Sequence, residues 1–595
     1  MIWKICFFLS LAVLAAAAGC AVRLMKKRRS GTALTPFHIL FAGFFGAVFI
    51  GQLPLIAGQV GEGTVLKILT LNAMQTIQVF TANVGADVIL DNITRDATDI
   101  SGIYSAYMSV LFLAAPLMTF GFLISLFRSV LTRLTFLTHF FGDLYVFSEL
   151  NEKALTLARD VKNNHPGAVI VFTGVQSGEE KEISLAEEAK EMRAILFGND
   201  IVAADFSRHS RKSRLILILI REQSGENLAQ ALKLIPKYQD RENTEVYVFS
   251  SELEGELLLS GAMKGKVKIR RVNEVRSLIY HYLYDRGEEL YAGAAAQEDG
   301  TRAIHAVVVG LGRYGKELVK ALTWYCQMDG YSITIDAFDA DPLAEEKFAA
   351  DCPELMSEEY NGVVIPGESQ YTIRIHSGVD VNTRTFSEMI GEIRDATFVF
   401  VSLGGDTVNL SQAARLRMLC ERAGCKPVIR TVLYSTDEKA ALDGLTNYRG
   451  QAYNIDAIGD FETSCSEEVL MGGELERLAL KRHLKYGDEA SFWQYEYNYR
   501  SSMASAIHEK ARLFCGIPGA GKEQLTIEER DAIEPIEHRR WNAYMRSEGY
   551  VYSGSPEKSS RNDLAKMHHD LVKFDLLTEE EKRKDSGTSH RDKSE

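Results

Sequence analysis

The sequence predicts an α-helical membrane region of three spanning helices, then two α/β doubly wound domains, then a small, mainly α C-terminal module. Three observations predict this. Three apolar segments of spanning length lie within residues 1–133. Beyond them, apolar strand-length runs alternate with helical patterns, and the alternation occurs twice. In the second round a glycine-rich turn, Gly310-Leu311-Gly312-Arg313-Tyr314-Gly315, separates a strand from a helix start.

With 595 residues, 46% of them hydrophobic, the chain has material for several cores. A formal charge of −13 would repel a phosphate backbone, so nucleic acid is excluded as a partner. The eight cysteines form no CxxC pair and no His/Cys cluster, so neither a zinc site nor a disulfide framework is expected, which suits a reducing cytoplasm.

The apolar segments cover about 6–24, 37–60 and 104–127. Lys26-Lys27-Arg28-Arg29 follows the first, and Arg128 and Arg133 close the third. Positive charge stays inside, so residues 61–103 are expected outside and everything after Arg128 in the cytoplasm: a multi-pass protein of the inner (cytoplasmic) membrane. The competing reading is a secretory signal ending at the lipoprotein-like Ala17-Ala18-Gly19-Cys20, which would leave four cations outside.

Within 63–87 a helical pattern (Val65, Leu66, Leu69, Met74, Ile77) precedes Phe80-Thr81-Ala82-Asn83-Val84-Gly85-Ala86-Asp87. A helix and a Thr/Val/Gly loop between two spanning helices is the layout of a potassium-channel pore loop, whose carbonyls replace the ion's water. Thr81, Asn83, Val84, Gly85 and Asp87 are the candidate pore residues, but the aromatic and second glycine of a potassium filter are missing. The alternative is an amphipathic loop on the membrane surface.

The first α/β domain, 141–285, is read from strands at Leu144–Phe147, Ala168–Thr173, Ala194–Phe197, Leu215–Ile220 and Glu245–Phe249. Its first strand–helix turn is Ser148-Glu149-Leu150-Asn151-Glu152, with no glycine and two acids where a phosphate would sit. Dimer contact or relay is therefore expected of it, with a divergent binding site as the alternative.

The second α/β domain, 302–470, has strands at Val307–Val309, Ile333–Phe338, Thr372–His376, Thr397–Ser402 and Pro427–Val432. Gly310 permits the tight turn, Gly312 lets a pyrophosphate approach the backbone, and Gly315 allows close helix packing. Asp339, ending the second strand, is placed to bond a ribose hydroxyl. Gly310, Gly312, Arg313, Gly315 and Asp339 are thus the candidate cofactor-binding set, for NAD or another adenine nucleotide; the alternative is a packing turn. After the fourth strand, Arg221-Glu222-Gln223-Ser224-Gly225-Glu226-Asn227-Leu228 in the first domain parallels Leu403-Gly404-Gly405-Asp406-Thr407-Val408-Asn409-Leu410 in the second, as an internal duplication would leave it.

On these residues, and on Asp339-Ala340-Asp341-Pro342, the sequence resembles the regulator-of-potassium-conductance and TrkA-N family across roughly 141–470. These are cytoplasmic Rossmann-like modules that regulate ion channels and transporters. The resemblance implies nucleotide contact at Gly310, Gly312, Gly315 and Asp339, with ligand state changing how the modules pack. The first copy departs from the pattern at its glycine loop.

In the last part, 488–585, Phe492 to Arg500 leads into a helix from Ser502 to Phe514, and Gly516-Ile517-Pro518-Gly519-Ala520-Gly521-Lys522-Glu523 imitates a phosphate-binding loop. Glu523 replaces the magnesium-binding hydroxyl and a helix precedes the loop, so a solvent loop is expected. Downstream, Glu537-His538-Arg539-Arg540-Trp541 and His568-His569-Asp570-Leu571-Val572 resemble the RyR domain, the small helical module repeated in ryanodine receptors and found in bacteria. In bacteria such modules beside Rossmann-like partners are proposed sensors of nucleotide-derived signals in conflict systems.

Chemically, Arg540 and Arg546 suit phosphate, Trp541 or Tyr544 could stack on a base, and Glu537 could accept from ribose or adenine. Glu537, Trp541 and Tyr544 share one helical face, however, and core packing is the competing reading for the two aromatics. The His568-His569 pair reads as a structural turn without metal, and 586–595 as a disordered tail.

No catalytic arrangement stands out, so a receptor is expected and not an enzyme. The leading expectation is a ligand-regulated membrane channel or transporter-like protein: a homo-oligomer (dimer or tetramer) in lipid, passing an inorganic cation and gated by nucleotide-type ligands. The alternative is a membrane-anchored nucleotide-signal effector in bacterial (anti-phage) defence, without selective conduction. A third, weaker reading is an NAD(P)-using oxidoreductase.

Overall fold

The structure is a computed structural model and describes residues 2–26, 36–60, 64–83, 100–138, 142–175, 180–207, 209–251, 253–356, 359–360, 363–364, 371–444 and 447–585. The basic residues Lys27, Arg28 and Arg29, the pore candidates Val84, Gly85 and Asp87, and the tail 586–595 lie outside that set. The chain divides into two compact units, Met1–Gly142 with Val171–Ser210, and Asp143–Ile170 with Arg211–Glu595.

In the first unit, helices α1 (Ile2–Lys26), α2 (Pro36–Val60) and α4 (Ser101–Thr138) contain three stretches long and apolar enough to cross a membrane: Ile2–Arg23, His38–Val60 and Ser101–Phe122. Between α2 and α4 lies a shorter apolar helix, α3 (Val65–Phe80). Helix α4 runs on past the third apolar segment to Thr138, because no glycine or proline interrupts helix propagation there before Gly142. Small residues bring α1 and α2 close: a Cβ on Gly43 would lie 2.2 Å from that of Ala17. A buried polar seam ties α3 to its neighbours. The Gln52 amide donates to Thr76 Oγ1 (2.6 Å) and the Asn72 carbonyl (3.1 Å), Asn72 Nδ2 to the Phe49 carbonyl (2.7 Å), and Thr119 Oγ1 to the Phe80 carbonyl (2.9 Å). Among apolar helices such bonds fix which faces meet. In the unit's second stretch, Val171 and Phe172 pair with Ile195 and Leu196.

The first α/β sheet has strands β1 (Leu144–Phe147), β2 (Val169–Phe172), β3 (Ile195–Leu196), β4 (Leu215–Leu219), β5 (Thr244–Phe249) and β6 (Lys268–Val272), ordered β3-β2-β1-β4-β5-β6. The second has β7 (Arg302–Val309), β8 (Tyr331–Asp339), β9 (Tyr371–Ser377), β10 (Phe398–Val401), β11 (Val428–Val432) and β12 (Ile455–Ile458), ordered β9-β8-β7-β10-β11-β12, with Ala295–Ala296 antiparallel on β7. Both read third, second, first, fourth, fifth, sixth, which is the doubly wound order whose direction reverses between first and fourth strands. The paired strands β7, β10 and β11 are buried over nearly their whole length, as a parallel sheet covered on both sides requires, with Arg430 and His305 as ion-paired exceptions to their apolar run.

Five helices of the second unit frame its crevice and its C-terminal module: α5 (Glu274–Arg286), α6 (Arg313–Tyr325), α7 (Asp406–Ala423), α8 (Glu496–Phe514) and α9 (Ile527–Ser547). Helix α8 begins at Glu496, six residues earlier than the sequence suggested, with Tyr495 at its N-cap. One continuous apolar core joins α5, one face of β7 and β8, α6, α8 and α9; it includes Tyr280, Leu322, Trp324, Ile507, Ile536 and Tyr544. The opposite face of the second sheet packs against α7 and Arg384–Glu392 through Val309, Phe338, Phe386, Val401 and Leu416.

Candidate functional site

The glycine turn sits at the C-terminal end of β7, beside β10, where the sheet order reverses. Gly310 takes φ +91°, and a Cβ there would fall 2.4 Å from the Ser402 carbonyl oxygen, so only glycine fits. A Cβ on Gly315 would meet the Gly310 carbonyl at 1.9 Å, which is how α6 packs so tightly onto the turn. Gly312 is different. It is the N-cap of α6, gives no side-chain cap, and its Cβ position faces open space; so do those of Gly404 and Gly405 across the crevice. An uncapped helix N-terminus beside open space is an anion-binding arrangement. Arg313, the first helical residue, is exposed there.

Asp339 closes the turn from the neighbouring strand. Its Oδ2 accepts the Leu311 N–H at 2.6 Å and its Oδ1 the Asp341 N–H at 2.8 Å. A carboxylate has four lone-pair sites, so capacity for a ribose hydroxyl remains, but its first task is to hold the glycine turn in shape.

The duplicated phrase has the same atomic role in both domains. Asn409 Oδ1 accepts the Leu403 N–H (2.6 Å) and its Nδ2 donates to the Val432 carbonyl (2.8 Å). Asn227 Oδ1 accepts the Arg221 N–H (2.8 Å) and its Nδ2 donates to the Phe249 carbonyl (2.9 Å). Each asparagine thus pins the loop after the fourth strand to the last residue of the fifth. The first domain differs at its first turn, where Asn151 caps the following helix through the Ala154 N–H and donates to the Ile220 carbonyl. Glu149 stands beside it, its carboxyl raised by burial against the opposing pull of Arg221. Side chains occupy the place where the second domain leaves an open helix end.

Two residues that sequence reasoning passed over complete the second crevice. Tyr314 and Tyr434 join hydroxyl to hydroxyl at 2.5 Å, and both oxygens of Asp406 accept backbone N–H groups, from Tyr434 (3.0 Å) and Ser435 (2.6 Å). Asp406 was visible within the repeated phrase, but nothing local pointed to a partner 28 residues away.

The C-terminal candidates are turned inward. Glu537, Arg540, Tyr544 and Arg546 are 6%, 1%, 1% and 4% exposed. Helix α9 is covered by α6 and α8, so the shared face read from the sequence is a core face. The Glu537 carboxylate accepts Arg512 (2.6 Å), Ser505 (2.8 Å) and Arg540 (3.0 Å); burial would raise its pKa, but these guanidiniums hold it well below the usual range. Tyr544 packs edge-on against Trp324 at 6.2 Å, and Arg546 lies 3.7 Å from Glu354. Only Trp541 is half-buried, donating to the Tyr497 hydroxyl at 3.3 Å and packing edge-on against His568 at 4.9 Å.

Around α5 the interior is ionic. Arg276 bonds Glu317 (3.0 Å) and Glu548 (3.2 Å), and Arg500 bonds Glu256 (2.6 Å), Glu548 (2.9 Å) and Glu496 (3.2 Å). These pairs link both α/β domains to α8 and to the end of α9. Burial works against ionised Glu548, yet Arg276 and Arg500 hold it down at about 2.

The phosphate-loop imitation is internally occupied: the Gly521 N–H donates to Glu509 at 2.6 Å and Lys522 pairs with Glu529. His568, His569 and Asp570 bring three potential metal-ligand atoms within 4.8 Å. The Asp570 N–H, however, donates to His568 Nδ1 (3.1 Å), using the lone pair that a metal would need there and leaving the ring proton on Nε2. Of the pore candidates, Thr81 and Asn83 are exposed at the C-terminal end of α3, where Thr81 Oγ1 donates to the Ile77 carbonyl at 3.1 Å.

No protein-family model matches this chain, and no curated protein matches it.

Proposed function

We propose that this chain is a nucleotide-regulated membrane protein whose apolar helices assemble, in an oligomer, into an ion-conducting pathway. The observation that carries this is the open, uncapped start of α6 at Gly312, braced by Asp339. Unlike the start of α7, which also has an uncapped glycine, it carries no acid in its first turn, and the first domain fills the same place with Asn151. Helix α6 then runs into the core shared with α8 and α9, so a ligand at its N-terminus bears on an element packed against the C-terminal module. In this reading the two α/β domains are regulator-of-potassium-conductance or TrkA-N modules and 488–585 is a RyR domain that reports ligand state through packing. The three apolar helices support membrane insertion.

The test is cation flux through the full chain in liposomes, with and without adenine nucleotides inside the cytoplasmic-facing compartment. Nucleotide-dependent flux is expected. Nucleotide binding with no flux under any ligand would overturn conduction and favour the anchored effector, a reading supported by the missing aromatic and second glycine after Asn83.

A further inference from the structure

A doubly wound sheet holds a dinucleotide astride its switch point, one nucleotide over the first and second strands and the other over the fourth and fifth. Here the first half is open, and a tyrosine pair stands over the second. The Tyr314–Tyr434 pair runs from the first turn of α6, which follows β7, to the second residue after Val432, which ends β11. Since β10 lies between β7 and β11, this pair straps across the end of β10. Its rings meet edge-to-face at 6.3 Å.

The strap is anchored. Tyr434 gives its N–H to Asp406, its carbonyl accepts the Phe461 N–H at 2.9 Å, and Ser435 gives Asp406 a second bond. Asp406 is also the first residue of α7, so the other helix start facing the crevice already carries a carboxylate. The second nucleoside of a dinucleotide would come up against that carboxylate and the tyrosine pair, whereas the start of α6, which takes the phosphates, carries no acid in its first turn.

From these contacts we propose that the crevice takes a single nucleoside 5′-phosphate or diphosphate, with its phosphates on Gly312 and its ribose toward Asp339, and excludes dinucleotides. This rests on reading the crevice as a nucleotide site. The space beside Gly312, Gly404 and Gly405 is then the phosphate end of a one-nucleotide pocket.

Calorimetric titration of the full chain in detergent with AMP, ADP and NAD+ tests this. AMP or ADP should bind roughly a hundredfold more tightly than NAD+. Tyr314→Ala should narrow that gap to within about tenfold, and so should Tyr434→Phe, which removes only the hydroxyl and keeps the ring should the alanine variant fail to fold. NAD+ binding as tightly as ADP to the unaltered chain would overturn the exclusion while leaving a nucleotide site standing. If none of the three binds, both the exclusion and the nucleotide reading beneath it fall.

Discussion

Asp339 Oδ2 accepts the backbone N–H of Leu311, so the acid that ends β8 is bonded to the turn that ends β7. Replacing that carboxylate changes the shape of the turn as well as any ribose contact. Asp339→Ala should weaken adenine-nucleotide binding by about 10- to 100-fold, since a hydrogen bond to a charged group contributes about 1.5–3 kcal/mol. Asp339→Asn, which keeps an acceptor for Leu311, should lose less. Equal losses in calorimetry would show that the brace is irrelevant.

Gly312 borders open space, whereas Gly315 is packed against the turn. Gly315→Ala drives a methyl to 1.9 Å from the Gly310 carbonyl and should lower thermal stability by about 1–3 kcal/mol. Gly312 has an ordinary φ of −67° and nothing within 4 Å of its Cβ position, so Gly312→Ala should leave the melting temperature alone and reduce nucleotide affinity. Unchanged affinity in a folded Gly312→Ala protein would place the ligand elsewhere.

Glu548 makes the ionic interior sensitive to acid. Its carboxyl, about 4.5 in the ordinary state, is held at about 2 in the folded chain, where Arg276 and Arg500 outweigh burial. A depressed value stabilises the folded state fully above about pH 4.5, and that contribution, on the order of 3 kcal/mol, is lost as pH falls toward 2. Denaturant titrations between these limits should show a shallower pH dependence for Glu548→Gln.

His305 has the opposite sign. It lies between Asp336 (2.7 Å from Nε2) and Asp395 (2.8 Å from Nδ1), while Arg374 and His376 also bond Asp336. Burial favours the neutral ring, but the two carboxylates raise its pKa above the usual 6.5. Its charged form therefore stabilises the fold fully below pH 6.5, and the contribution fades as pH rises through the folded value. His305→Gln should cost about 1–3 kcal/mol near pH 6 and less near pH 9, read by thermal unfolding.

Gln52 donates to both Thr76 and Asn72, holding α3 against α2. Gln52→Leu should destabilise the detergent-solubilised protein by about 0.6–2 kcal/mol and loosen α3, measurable as faster proteolysis between residues 61 and 100. Unchanged protection would mean that apolar packing alone seats the helix.

Much of this architecture was legible because it follows from local pattern. The apolar stretches of α1, α2 and α4, the strand runs such as Val307–Val309 and Leu215–Ile220, and the glycine turn before α6 are all written in adjacent residues. The repeated phrase was legible too, and Asn227 and Asn409 show what the repetition preserves: an asparagine that ties a loop to the next strand. The C-terminal candidates Glu537, Arg540, Tyr544 and Arg546 are buried, in line with the packing reading that the sequence left open for this helix. Helical spacing puts Glu537, Trp541 and Tyr544 on one face but does not say whether that face meets water or another helix.

The sequence by itself determined the order of elements, the twofold repetition of the sheet and the position of the open helix start, since each depends on periodicity and on glycine's backbone freedom within a few residues. Tertiary structure alone decided that Tyr314 reaches Tyr434 across β10, that Asp406 anchors that strap, and that Arg512 and Arg540 enclose Glu537. Several of these partners lie 25 or more residues apart in the chain, and they meet only because the strand order and the burial of α9 bring them together.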